Sequence, residues 1–101
     1  MVAAKTLLVT IATAVLAVNA DWHVSFTFED GGQVTSSGFL NSGCVNFGKT
    51  DSDIATIYFE SNINTDTVEL YHQQNCRAVA YTAGPGSSNV PNERYFSYRV
   101  F

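Results

Sequence analysis

The second half of the chain echoes its middle at a nearly constant distance. Val24–Phe28 (VSFTF) leads through a turn and a Gly-rich stretch to Asn46-Phe47, and then to Ser52 ahead of an apolar run. Val68–Tyr71 (VELY) leads in the same way to Asn89-Val90 and to Ser97. The offsets are 43 residues from Phe28 to Tyr71, 43 from Asn46 to Asn89 and 45 from Ser52 to Ser97. Three landmarks at a near-constant spacing imply one supersecondary unit used twice. That restricts the fold more than any single segment does, and it leaves the function open.

Within this frame the apolar residues recur every second position, the period of a strand with one buried face. In His23–Phe28, Val24, Phe26 and Phe28 share one face while His23, Ser25 and Thr27 share the other. Asp30-Gly31-Gly32 makes a turn into a weaker, polar strand, Gln33–Phe39, and Asn41–Gly43 turns into a short segment, Cys44–Phe47. Gly48–Asp53 reads as a polar turn. Ile54–Glu60 (IATIYFE) is apolar on both faces, as a central strand would be. Ser61–Asp66 is a turn of residues that tolerate left-handed backbone. Thr67–Tyr71 and Cys76–Thr82 read as strands around a tight corner at Gln73–Asn75, and Arg94–Phe101 as a last strand with Phe96, Tyr98 and Val100 on one face. Ala83–Glu93, with Pro85 and Pro91, reads as the longest loop. Six to eight short strands at regular spacing predict an all-β sandwich or barrel. Its core should draw on the 13 aromatic residues, with Phe26, Phe28, Tyr58, Phe59, Phe96 and Tyr98 mostly structural.

Residues 1–20 read as a cleaved signal peptide. Lys5 supplies the positive start, Thr6–Val18 an apolar run of 13 residues, and Val18 and Ala20 the small residues before a cut. A membrane span takes about 20 apolar residues, so an anchor is the poorer reading. The expected product is one exported domain, residues 21–101, with no membrane span. Four basic residues then face nine acidic ones, a net charge of −5. Lys49, Arg77, Arg94 and Arg99 are too few and too scattered to track phosphates, so nucleic acid is not an expected partner. A domain of this size buries proportionally little surface. The two cysteines, Cys44 and Cys76, are therefore expected to form a disulfide in an oxidising compartment. Two free thiols are the alternative.

The stretch Thr67–Tyr81 (TVELYHQQNCRAVAY) resembles the opening of a βγ-crystallin Greek-key motif. In that family a strand ends in an aromatic residue, a folded hairpin follows with a second aromatic and a Gly, and a Ser from the fourth strand caps the hairpin. Tyr71 and Ser97 match, as do Phe28 and Ser52 in the first half. Cys76 stands in place of the second aromatic and Ala78 in place of the Gly, while the first half has Gln33 and Thr35 there. The resemblance implies a small Greek-key β-sandwich of two crystallin-like motifs. It also implies positive φ at residue 78, which an Ala resists, so the corner is expected to be reshaped. In general style the chain is similar to small secreted proteins of filamentous fungi, some of which are plant-directed effectors.

Microbial members of the crystallin family often bind calcium through paired Asn/Asp and Ser/Thr ligands. Carried over, this gives Asn92, Glu93 and Ser97 in the second half as a candidate calcium site, with Phe96 a poor fit. The first half reads Phe47-Gly48-Lys49-Thr50-Asp51-Ser52, which lacks both leading oxygen ligands and puts Lys49 nearby. A catalytic Cys–His pair using His72 would need a free thiolate, which a disulfide removes. No carboxylate pair stands out for hydrolysis. Trp22 either plugs the end of the sandwich or offers a contact, and Glu29–Gly32 and Ala83–Glu93 are the loops expected to meet a partner. The sequence thus points to a monomeric, secreted, non-enzymatic binding protein of effector type, acting on an extracellular protein or surface. A calcium-binding, crystallin-like structural protein is the alternative.

Overall fold

A computed structural model describes Ala20–Phe101; the expected leader, apart from Ala20, lies outside the described residues. Eight strands follow one another with no helix among the described residues: β1 Trp22–Phe28, β2 Gln33–Gly38, β3 Gly43–Asn46, β4 Ile54–Glu60, β5 Val68–Gln73, β6 Arg77–Ala83, β7 Gly86–Glu93 and β8 Ser97–Val100. They form two four-stranded antiparallel sheets, ordered β2-β1-β4-β7 and β3-β8-β5-β6. Adding four to each strand number of β2-β1-β4 gives β6-β5-β8, so the two halves repeat one arrangement. Each half places its first, second and fourth strands in one sheet and hands its third strand to the other. β3 pairs only with β8, and β7 only with β4.

The repeat at sequence level has its counterpart in hydrogen bonds. Ser52 Oγ accepts the Asp30 N–H at 3.2 Å, and Ser97 Oγ accepts the Cys76 N–H at 3.0 Å. Each serine thus ties the turn between the first two strands of its half to the entry of the fourth. Ser97 is fully buried and also donates to the Gln73 carbonyl.

Strand alternation sets the core. In β1 the residues Trp22, Val24, Phe26 and Phe28 are buried while His23 is exposed. Phe26, Phe47 and Tyr98 form a triangle of rings with centroids 4.8–4.9 Å apart. These rings come from one sheet, from the connection after β3 and from the other sheet, so the triangle joins both layers. Favourable tilted and edge-to-face pairs of this kind contribute about 0.5–1.5 kcal/mol each beyond burial. Trp22 is buried as a plug, its Nε1–H donating to the Leu40 carbonyl at 2.7 Å. A Cβ on Gly38 would stand 2.8 Å from the Trp22 ring, so the glycine makes room for the indole.

Two expectations are corrected. Ala83 ends β6, and most of the expected loop after it is the strand β7. Pro91 is tolerated because β7 is an edge strand and because the β4 ladder is irregular there. Three residues of β4, Ile54 to Thr56, face five of β7, Asn89 to Glu93, and the proline needs no ladder partner. The second correction is Tyr58. It lies on the outer face of β4 and is 47% exposed, while Ile54, Ile57 and Phe59 are buried.

The Cys44–Cys76 disulfide is present, with Cα atoms 5.9 Å apart. Cys44 is exposed and Cys76 partly buried. The bridge fastens the short strand β3 to the β5–β6 corner. Asn46 reinforces it: its Oδ1 accepts the Asn75 N–H at 2.8 Å and its Nδ2 donates to Asn75 Oδ1 at 3.2 Å. The corner, expected to be reshaped because residue 78 is Ala, instead keeps positive φ there. Asn75, Cys76 and Ala78 all have positive φ, at 62°, 55° and 60°. Asn accepts this backbone readily, while an ordinary residue there costs about 1–2 kcal/mol. Replacing Ala78 with Gly relieves the strain but frees the unfolded chain. Ala78→Gly should therefore raise the unfolding free energy by about 1 kcal/mol. Urea denaturation checks this, and a loss of stability would mean that the Ala78 conformation carries no strain.

Candidate functional site

The three residues expected to hold calcium differ sharply in environment. Asn92 and Glu93 are exposed at the end of β7, whereas Ser97 is enclosed at the start of β8 with its hydroxyl taken by the corner. Glu93 Oε2 lies 3.4 Å from His72 Nε2. The next residue, Arg94, turns back to the first half. Its Nε donates to Asp53 Oδ1 at 3.1 Å and its Nη1 to the Thr50 carbonyl at 3.0 Å.

The corresponding position of the first half, 45 residues earlier, is Lys49. Its ammonium donates to Asp30 Oδ2 at 2.7 Å and to Asp51 Oδ1 at 2.9 Å. It also lies 5.4 Å from the centroid of the Phe28 ring. Hydrogen bonding to Lys49 holds the Asp30 and Asp51 carboxyls below their ordinary value of 3.8, and the same bonds push Lys49 above 10.5. Depressed acids hold the tether above pH 3.8 and lose it as pH falls through their folded values; the raised lysine keeps it until pH climbs past 10.5. All three groups face water, so the tether positions the loop more than it stabilises the fold.

In the first half the Lys49 ammonium thus sits between the Asp30 and Asp51 carboxylates, and Arg94 of the second half adds its charge to Asp53 and Thr50 of the first. A divalent ion would have to displace the Lys49 ammonium in the first half and to unseat the Ser97 hydroxyl in the second. The residues present fit a tethered loop better than a calcium cage. Among the described residues no three His, Cys, Asp or Glu side chains gather as metal ligands.

His72 is engaged as well. Its ring stacks on Tyr95, with centroids 5.8 Å apart and planes inclined by 13°, beside Glu93. Tyr95 is buried and donates its hydroxyl to the Pro91 carbonyl at 2.7 Å, and burial pushes its pKa up to about 12. Both cysteines are in the disulfide, so no thiol stands near this histidine among the described residues. Of the loops expected to meet a partner, Glu29–Gly32 is held by Lys49 and Ser52, and the other is largely β7.

A different cluster is presented to solvent. Phe39 and Leu40 follow β2, and Ile63 lies in the β4–β5 turn; they are 44%, 67% and 67% exposed. Two asparagines bring them together. Asn62 Nδ2 and Asn64 Nδ2 donate to the same Phe39 carbonyl, at 2.9 and 3.0 Å. Asn62 Oδ1 also accepts from the Asn64 N–H and from Thr65 Oγ1, which closes the turn around Ile63. With Trp22 Nε1 on the Leu40 carbonyl, the backbone under all three apolar side chains is fixed. This is an apolar tip on a rigid base. One signal for it stood in the sequence: a single Ile between two Asn in an otherwise polar turn, and a Phe-Leu pair placed where a strand gives way to a turn.

Comparison with known protein families, with curated proteins and with solved structures finds no match to the chain. The site is therefore read from its own chemistry. Adding millimolar calcium to the chelated, oxidised protein should leave its melting temperature within about 1 °C. A bound ion at 100 times its dissociation constant would add about 2.7 kcal/mol and shift a domain of this size by roughly 10 °C or more. A shift of that size would establish a calcium site, with Asn92, Glu93 and Ser97 as its candidate ligands.

Proposed function

We propose that this chain is an exported, crystallin-like β-sandwich of two Greek-key halves. It works as a monomer and without turnover, binding a protein or other surface outside the cell in the manner of a small secreted effector. The leader-like residues 1–20 and the disulfide support export. The exchanged third strands and the two serine caps support the crystallin-like reading, since they join the Phe28/Ser52 and Tyr71/Ser97 pairs through equivalent turns.

The observation that carries the binding role is the apolar tip of Phe39, Leu40 and Ile63. Leaving a side chain of this size in water forgoes about 1.5–3 kcal/mol of burial, which a partner with an apolar recess recovers. The tip is already ordered by Asn62, Asn64 and Trp22, so little conformational freedom is lost on contact. No basic cluster lies in this patch, and the partner contact is apolar rather than phosphate-directed.

Leu40→Asp and Ile63→Asp change exposed side chains and leave the clamping asparagines intact. Each should melt within about 4 °C of the parent protein, because surface changes of this kind stay within about 0.5 kcal/mol. Each should lower retention of the partner, purified from the fluid in which the protein acts, by at least about tenfold, a loss near 1.4 kcal/mol. Unchanged retention in both variants would remove the tip from the binding role.

A further inference from the structure

The outer face of the first sheet carries a second surface, with different chemistry. Strand pairing sets its outward side chains in rows. Ser37, His23 and Glu60 lie side by side across β2, β1 and β4, and Thr35, Ser25 and Tyr58 form the next row. Neighbouring side chains in a row are about 4.8 Å apart, and rows are separated by a two-residue step of about 7 Å. Ser25 is the small member between Tyr58 and Thr35. Its short side chain opens a shallow groove of about 470 Å³, with the Tyr58 ring as one wall.

Polar residues on the outer face of an antiparallel sheet are ordinary. Three features here are not. Among the described residues that line the groove there is no lysine or arginine. Its exposed apolar wall is a single aromatic, Tyr58, 47% exposed on a strand interior to its sheet. The rest of the outward lining is dense in hydroxyls, which both donate and accept hydrogen bonds. Phosphate and sulfate ligands need cations that this surface lacks, and Glu60 together with the acidic net charge repels uronic acids. A lipid or an apolar peptide would find one ring and no apolar floor. A neutral sugar satisfies every feature. Its C–H face packs on the negative face of an aromatic ring, and its hydroxyl rim exchanges hydrogen bonds with serines and threonines.

We propose that the groove over Ser25, walled by Tyr58 and flanked by Thr35, Ser37, His23 and Glu60, is a binding site for neutral polysaccharide chains. The site adjoins the apolar tip at Ser36 and Ser37 but uses none of the tip's apolar side chains. A chain held on the sheet face leaves Phe39, Leu40 and Ile63 free, so the protein can rest on a glycan matrix and still present its tip. This inference goes beyond the tip-directed function and stands independently of it.

Co-sedimentation of the oxidised protein with chitin, cellulose, β-1,3-glucan and mannan tests it, with sulfated cellulose as the anionic control. At least one neutral polymer should retain the protein, and sulfated cellulose should not. Tyr58→Ala, which removes the stacking wall, and Ser25→Trp, which fills the groove, should each lower retention at least tenfold, while Leu40→Asp retains it. Should either groove variant misfold, amide shifts of the parent protein titrated with the hexasaccharides of the retaining polymer give a separate reading. Ser25, Thr35 and Tyr58 should move, and Leu40 and Ile63 should not. The proposal is overturned if no neutral polymer retains the protein, if retention survives Tyr58→Ala, or if the shifts fall on the tip instead.

Discussion

The rest of the structure depends on the exchange of third strands. β3 leaves the first half to pair with β8 of the second, and β7 leaves the second to pair with β4 of the first. Neither half has a complete sheet of its own, and neither closes the Phe26–Phe47–Tyr98 triangle alone. The cost of bringing such distant segments together is loop-closure entropy, offset only when the whole core forms. A short chain thereby obtains one core shared by two layers, where two independent repeats would each bury too little.

Exchange leaves a weak point that the sequence addresses locally. β3 has four residues and a single neighbour in its sheet. The disulfide from Cys44 and the paired hydrogen bonds from Asn46 fasten it to the β5–β6 corner. That corner holds three non-glycine residues in left-handed backbone, and Ser97 binds its Cys76 N–H and its Gln73 carbonyl. The same hydroxyl that a metal-binding reading would assign to calcium thus holds the corner of the second half to which the first half is fastened. Lys49 and Arg94 extend this logic to the surface, each tying a loop of the first half with its own charge.

Legibility in the sequence followed the physics of each segment. β1 was readable because its buried face alternates strictly, Trp22, Val24, Phe26, Phe28. The disulfide was readable from the leader-like start and the small size of the rest, and the twofold organisation from the spacing of Phe28, Ser52, Tyr71 and Ser97. β7 was not, since Gly86-Ser87-Ser88-Asn89 has no strand propensity and Pro91 argues against a ladder. Its place is set by β4, a tertiary partner that local pattern cannot show. Tyr58 was misread for a related reason: in a central strand with apolar residues on both faces, sequence does not say which face another layer covers. The apolar tip depends on Asn62 and Asn64 reaching 23 and 25 residues back to Phe39, a contact invisible to any local window.

Both proposed binding surfaces stand on this joint framework, and the tip and the groove draw on residues whose backbone it holds. The framework is tested most directly by native-state hydrogen exchange of the oxidised protein. If exchanged strands make the halves interdependent, the slowest amides of β1 and β4 and those of β5 and β8 open at one common free energy. That value should equal the global unfolding free energy from denaturant to within about 0.5 kcal/mol. Two separate values, with one sheet opening while the other stays protected, would contradict the account.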